Sequence, residues 1–237
     1  MITPGHRTPL ACLAAAALLL PSGVAVEKKA VRLEGKYHIT SSGQEIGVET
    51  YVLEISADGV RSTSQLDLRN PGAGPKKVSL GTRLETDARY VPRDYQLESE
   101  VDGEKGTIRG SFAPNQVIFE YSVKGVSFRN GLLLGGQYTI LDTNVFHHFI
   151  FLARLFKYNE GKTPQKFEVL IPQEKDTGTV SVTELNKETM LIKGKKASVT
   201  HLLLDSGSLQ IHLWIDGDRI PRKISVPGKG IEVLHGD

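Results

Sequence analysis

Apolar and polar residues alternate with a period of two along much of this chain. In Leu209–Asp216, Leu209, Ile211, Leu213 and Ile215 fall on one face, and Gln210, His212, Trp214 and Asp216 on the other. Val117, Phe119, Tyr121 and Val123 share a face opposite Ile118, Glu120 and Ser122. Phe167, Val169 and Ile171 alternate with Glu168 and Leu170, and Glu49, Tyr51, Leu53 and Ile55 with Thr50, Val52 and Glu54. Each run predicts a strand with one buried face.

Short turn sequences separate the runs. Ser42-Gly43, Asp102-Gly103, Lys124-Gly125, Asn130-Gly131, Asp205-Ser206-Gly207 and Asp216-Gly217 all favour tight reversals. Strands joined this tightly must be antiparallel, because parallel neighbours need a long crossover. One segment departs from the pattern. From Asn144 to Tyr158 the apolar residues Val145, Phe146, Phe149, Ile150, Leu152, Ala153, Leu155 and Phe156 recur at spacings of three and four. That spacing predicts a helix over about 144–158, capped by Asp142 or Thr143 and followed by Gly161. So apolar a helix needs a sheet to pack on. The chain is expected to be mostly β: one large curved antiparallel sheet, a half-barrel or open barrel, with a single helix on its concave side.

Composition narrows the functional classes. The formal charge is +2 over 237 residues, and the basic residues are interleaved with acids. Nucleic acid is not an expected partner, since phosphate binding needs clustered positive charge. At the N-terminus, His6 and Arg7 precede an apolar run, Leu10 to Leu20, broken by Pro21-Ser22-Gly23, with small residues at Gly23 and Ala25. This is the pattern of a secretory signal peptide over 1–25. It predicts an exported protein, periplasmic or extracellular, with one domain over 26–237 and no transmembrane segment in the mature chain. The only cysteine, Cys12, falls inside the apolar run, so the mature chain needs neither disulfide nor thiol chemistry.

Candidate chemistry is sparse. His147 and His148 are adjacent, so on a helix their rings point about 100° apart and do not share a metal. One half-buried and one exposed histidine are expected. His201 and His212 come near each other if their strands pair around Asp205-Ser206-Gly207, but no carboxylate or cysteine is spaced to complete a metal shell. Asp176-Thr177-Gly178 and Asp205-Ser206-Gly207 resemble the active loops of aspartic proteases, whose two carboxylates share one proton. Both tripeptides also serve as hairpin turns. There is no G-x-S-x-G, P-loop or G-x-G-x-x-G, and Gly135-Gly136 precedes an expected strand where a phosphate cradle needs a helix. No catalytic residue, metal ligand or cofactor is expected.

Two stretches carry a family resemblance: Leu141-Asp142-Thr143-Asn144 with the apolar helix to Leu155, and Leu213-Trp214-Ile215-Asp216 followed by Ile220-Pro221-Arg222-Lys223-Ile224. With the β-rich middle they resemble uncharacterised exported bacterial β proteins and, more loosely, the half-barrel lipoprotein carriers of the bacterial envelope. The resemblance implies a curved sheet with a helix against its concave side, and in the carriers that concavity holds acyl chains. Two functions are therefore expected in competition. One is a non-enzymatic binder of a hydrophobic or lipid-like ligand, lined by Phe146, Phe149, Leu152 and Phe156, although the same side chains would equally complete a core. The other is an envelope scaffold that binds a protein through sheet edges or exposed aromatics such as Trp214. A hydrolase built on Asp176 and Asp205 is the remote third.

Overall fold

The computed structural model describes residues 30–70, 76–135, 137–158 and 163–236, so the expected signal peptide lies outside the described residues. The first eight strands are β1 (Val31–Ser41), β2 (Gln44–Ile55), β3 (Gly59–Asn70), β4 (Lys76–Asp87), β5 (Pro92–Val101), β6 (Glu104–Ala113), β7 (Gln116–Val123) and β8 (Val126–Leu133). The short β9 (Tyr138–Ile140) leads to the helix α1 (His148–Leu155). Then come β10 (Gln165–Ile171), β11 (Asp176–Ile192), β12 (Lys195–Asp205), β13 (Gln210–Ile215), β14 (Pro221–Val226) and β15 (Ile231–His235).

All fifteen strands form one sheet in the order β8-β7-β6-β5-β4-β3-β2-β1-β15-β14-β13-β12-β11-β10-β9. It is two meanders joined where the first strand pairs with the last, for example Tyr37 opposite His235. The expectation of a mostly β, sheet-plus-one-helix fold holds. One pair, β9 with β10, is parallel, and α1 lies in the crossover between them, as parallel pairing requires.

The curvature follows from covalent reach. Laid flat, fifteen strands would span about 67 Å. The two edge strands β8 and β9 are separated by only four residues, which reach about 18 Å at full stretch. The sheet must roll until its edges approach. It does not close: the β9 edge tucks inside, where Tyr138, Thr139 and Ile140 are all buried. The Tyr121 hydroxyl on β7 donates to the Pro172 carbonyl beyond β10 at 2.8 Å and pins the overlap.

Turn geometry agrees with most of the turn sequences. Ser42-Gly43, Asp102-Gly103 and Lys124-Gly125 have positive φ at both residues, the reversal that suits strand twist, and Lys193-Gly194 does the same between β11 and β12. Asn130-Gly131 is a correction. It lies inside β8, opposite Phe119 and Ile118, because β7 and β8 already turn at Lys124-Gly125.

The helix is shorter than its periodicity suggests. It begins at His148 because Asn144 adopts a left-handed conformation (φ 62°) and the backbone up to His147 is turn. Within it Ile150, Phe151, Leu152 and Ala153 are each 1% exposed and pack against the inner faces of the strands. Burying an apolar side chain of this size contributes about 1.5–3 kcal/mol. Among the described residues no helix is long and apolar enough to cross a membrane.

Candidate functional site

The start of α1 meets the sheet through buried polar groups. Alternation puts Glu49 of β2 on the inner face, in line with Tyr51 and Leu53. Its carboxylate accepts the backbone N–H groups of Phe146 (2.9 Å) and His147 (3.1 Å), which α1 itself cannot satisfy. The other oxygen accepts His147 Nδ1–H at 2.7 Å, leaving Nε2 to accept from the Ser62 hydroxyl at 3.3 Å. Acid, imidazole and hydroxyl thus stand in the order of a hydrolytic triad. All three are 0% exposed, so neither substrate nor water reaches the hydroxyl, and the arrangement fastens helix to sheet. Both histidines are buried, contrary to the expectation of one half-buried and one exposed. His147 meets Glu49 and Ser62 inside the protein, and His148 Nδ1 accepts the Asp142 N–H there at 3.3 Å, while its buried Nε2 makes no hydrogen bond among the described residues.

Asp142, after β9, forms the second part. It accepts from the Tyr95 hydroxyl (2.5 Å) and from the N–H groups of Thr143 (2.9 Å) and Gln173 (3.0 Å). Burial outweighs these hydrogen bonds and pushes the carboxyl from 3.8 up to about 6. The neighbouring His148 is held well below the usual histidine range by burial and by His147, so it stays neutral. Because the folded-state pKa of Asp142 is raised, its favourable contribution is complete below about pH 4 and lost as pH rises through about 6. The two-unit shift corresponds to at most about 3 kcal/mol. Asp142→Asn keeps a carbonyl for the two N–H groups and carries no charge. Relative to wild type, its urea-unfolding stability is expected to gain by up to that amount between pH 4 and pH 7. Parallel pH profiles would show that Asp142 does not titrate as a buried acid.

An open cleft of about 710 Å³ lies on the other side of this region. Its walls are the β4–β5 turn, the β6–β7 turn and the start of β9, which the rolling of the sheet brings together. Phe112 and Tyr138 form an apolar floor, their rings 12° from parallel and 6.3 Å apart, continued by Val91, Pro92 and Ala113. Burial and the nearby Asp87 raise the Tyr138 phenol, which stays protonated. Arg89 and Arg93, both exposed, stand at the rim; Asp87 lies 3.6 Å from Arg89. Tyr90 in the same turn packs edge-on against Phe151, so α1 supports the cleft from behind. A second cleft, about 590 Å³ beside Tyr51 and His235, is lined largely by polar residues including Lys36, Thr50, Thr63 and Gln65.

The remaining sequence-derived candidates disperse. Phe146, Leu152 and Phe156 are buried in the core and Phe149 is half-buried against it. Trp214 lies on the outer face, opposite Leu213 and Ile215, and shares no surface with the helix residues. Asp176 and Asp205 do not meet. Asp205 pairs with Ser181, five residues along β11 from Asp176, a separation of about 17 Å. They cannot share a proton, and Asp205 instead accepts the Gly207 N–H at 2.6 Å as a turn residue. The residues of the cleft escaped the sequence reading because three separate segments contribute them.

No protein-family model matches the chain, and no curated protein matches it. Solved structures do. The fold is similar to a crystal structure of a β-barrel-like protein of the domain of unknown function DUF1849 from Brucella abortus. The TM-score is 0.61 at 14% identity, over 87% of this chain and 95% of that one. It is also similar to a DUF1089 family protein from Pseudomonas aeruginosa, with a TM-score of 0.50 at 14% identity, over 92% and 98%. At these identities the likeness shows the fold, a β-barrel-like rolled sheet around one helix.

Proposed function

We propose that the protein is an exported, non-enzymatic binding protein that takes an anionic amphiphile in the cleft between the β4–β5 turn and β9. The observation that carries this reading is the pairing of an apolar aromatic floor, Phe112 and Tyr138, with two arginines at the rim in a cleft of about 710 Å³. That volume lies in the range of small-molecule sites. An acyl chain buries its surface on the floor while a carboxylate or phosphate head pairs with Arg89 and Arg93. The helix aromatics form the packed wall behind this site. Export is supported by the Leu10–Ala25 pattern and a mature chain free of cysteine.

Fluorescence titration with dansylaminoundecanoic acid tests the reading. Wild type is expected to bind it, and dodecyl phosphate to displace it better than dodecyltrimethylammonium. Arg89→Gln/Arg93→Gln is expected to weaken binding at least ten-fold, about 1.4 kcal/mol, with little change in Tm, because both side chains are exposed. Undiminished binding by that variant, or none by wild type, overturns the reading. The unpaired edge of β8, with Val126, Phe128 and Leu133 exposed, would then be the stronger candidate surface.

A further inference from the structure

The outer face of β11, β12 and β13 carries a constellation that neither the cleft nor the buried knot uses. His201 on β12 and His212 on β13 approach with Nε2 and Nδ1 2.9 Å apart. Glu188 on β11 fixes one of them: its Oε1 accepts His201 Nδ1–H at 3.0 Å, and its Oε2 accepts Trp214 Nε1–H at 2.9 Å. With both carboxylate oxygens engaged and the indole stacked on the His201 ring at 4.3 Å, that imidazole is held in one orientation and one tautomer. With Nδ1 protonated, its Nε2 presents a lone pair toward His212. In the metal-free protein that lone pair accepts His212 Nδ1–H.

We propose that His201 Nε2 and His212 Nδ1 together form a binding site for a divalent transition metal of the copper(II) type. Metal–imidazole bonds are about 2.0–2.1 Å long, so two ligands at right angles on one ion stand about 2.9 Å apart. The observed separation is that of neighbouring positions on a tetragonal ion, the geometry copper(II) and nickel(II) favour with nitrogen and oxygen donors. The His201 lone pair points along this hydrogen bond, so the half-buried His212 ring must swing its Nδ1 aside by about 2 Å to take the neighbouring position, and its proton moves from Nδ1 to Nε2 in the other neutral tautomer. Glu188 supplies the outer carboxylate that orients a metal-bound histidine. Among the described residues no third His, Cys, Asp or Glu completes a cluster, so water fills the other positions. The nearest cation, Lys223 over the Trp214 ring, is paired with Glu232 at 2.8 Å.

The test is titration of the purified mature protein with copper(II) against glycine as competitor, read by calorimetry and electron paramagnetic resonance. One equivalent is expected to bind with a tetragonal signal coupled to two imidazole nitrogens. His201→Gln/His212→Gln is expected to lose that signal, and Glu188→Gln to weaken binding at least ten-fold while both nitrogens remain coupled. A wild-type spectrum with fewer than two coupled imidazoles overturns the site without reference to any variant. So does an unchanged copper affinity and spectrum in the double variant.

Discussion

Replacing Glu49 by leucine is expected to destabilise the protein by about 3–5 kcal/mol, among the largest effects of any single substitution. The carboxylate is fully buried and accepts three donors: the N–H groups of Phe146 and His147 and the imidazole Nδ1–H. A leucine leaves all three in a low-dielectric interior with no acceptor, and an unsatisfied buried donor costs about 1–3 kcal/mol. Glu49→Gln retains one carbonyl but turns an NH2 group toward a donor, so a smaller loss is expected. His147→Phe is also destabilising, because the buried Glu49 Oε1 and Ser62 hydroxyl then lose the ring as hydrogen-bond partner. In Glu49→Leu/His147→Phe both polar partners are gone, and the double variant is expected to lose at least 1 kcal/mol less than the sum of the single losses. Urea midpoints of the four proteins measure this coupling. Simple additivity would mean that the two groups do not act as a pair.

Leu152→Asp is expected to abolish folding. Leu152 is 1% exposed on α1, inside the rolled sheet. Burying an unpaired carboxylate there exceeds the net stability of an ordinary domain. Leu152→Ala removes only packing and is expected to cost about 2–5 kcal/mol while leaving amphiphile binding at the cleft intact. This pair separates the two roles open to the helix aromatics. If Leu152→Asp folds, with native circular dichroism and Tm, but loses ligand, the helix lines a ligand chamber. If it fails to fold while Leu152→Ala still binds, the helix is core.

Much of the fold is legible in the alternation. Glu49, Tyr51 and Leu53 do share the inner face, and His212 and Trp214 the outer one, since side chains in a strand must alternate. The helix was visible in its period but not in its start. His147 is the N-cap residue and makes no side-chain cap of its own, because the acceptor is Glu49, distant by 98 positions. Local cap signals around Asp142 and Thr143 therefore misplaced the first turn. Glu188 was hidden for a different reason. A bulge between Glu184 and Asn186 shifts the register of β11, so Glu188 joins His201 on the outer face when strict alternation from Val182 would turn it inward.

By itself, the sequence determined the strand-rich class, the antiparallel hairpins and the single apolar helix. These follow from periodicities and turn residues that act over a few positions. Only the tertiary structure decided that β1 pairs with β15, that the sheet rolls, and that Phe112, Tyr138, Arg89 and Arg93 share one cleft. Those are contacts between segments tens to hundreds of residues apart. They are fixed by the short reach between β8 and β9 and by the need to enclose α1, which no local pattern encodes.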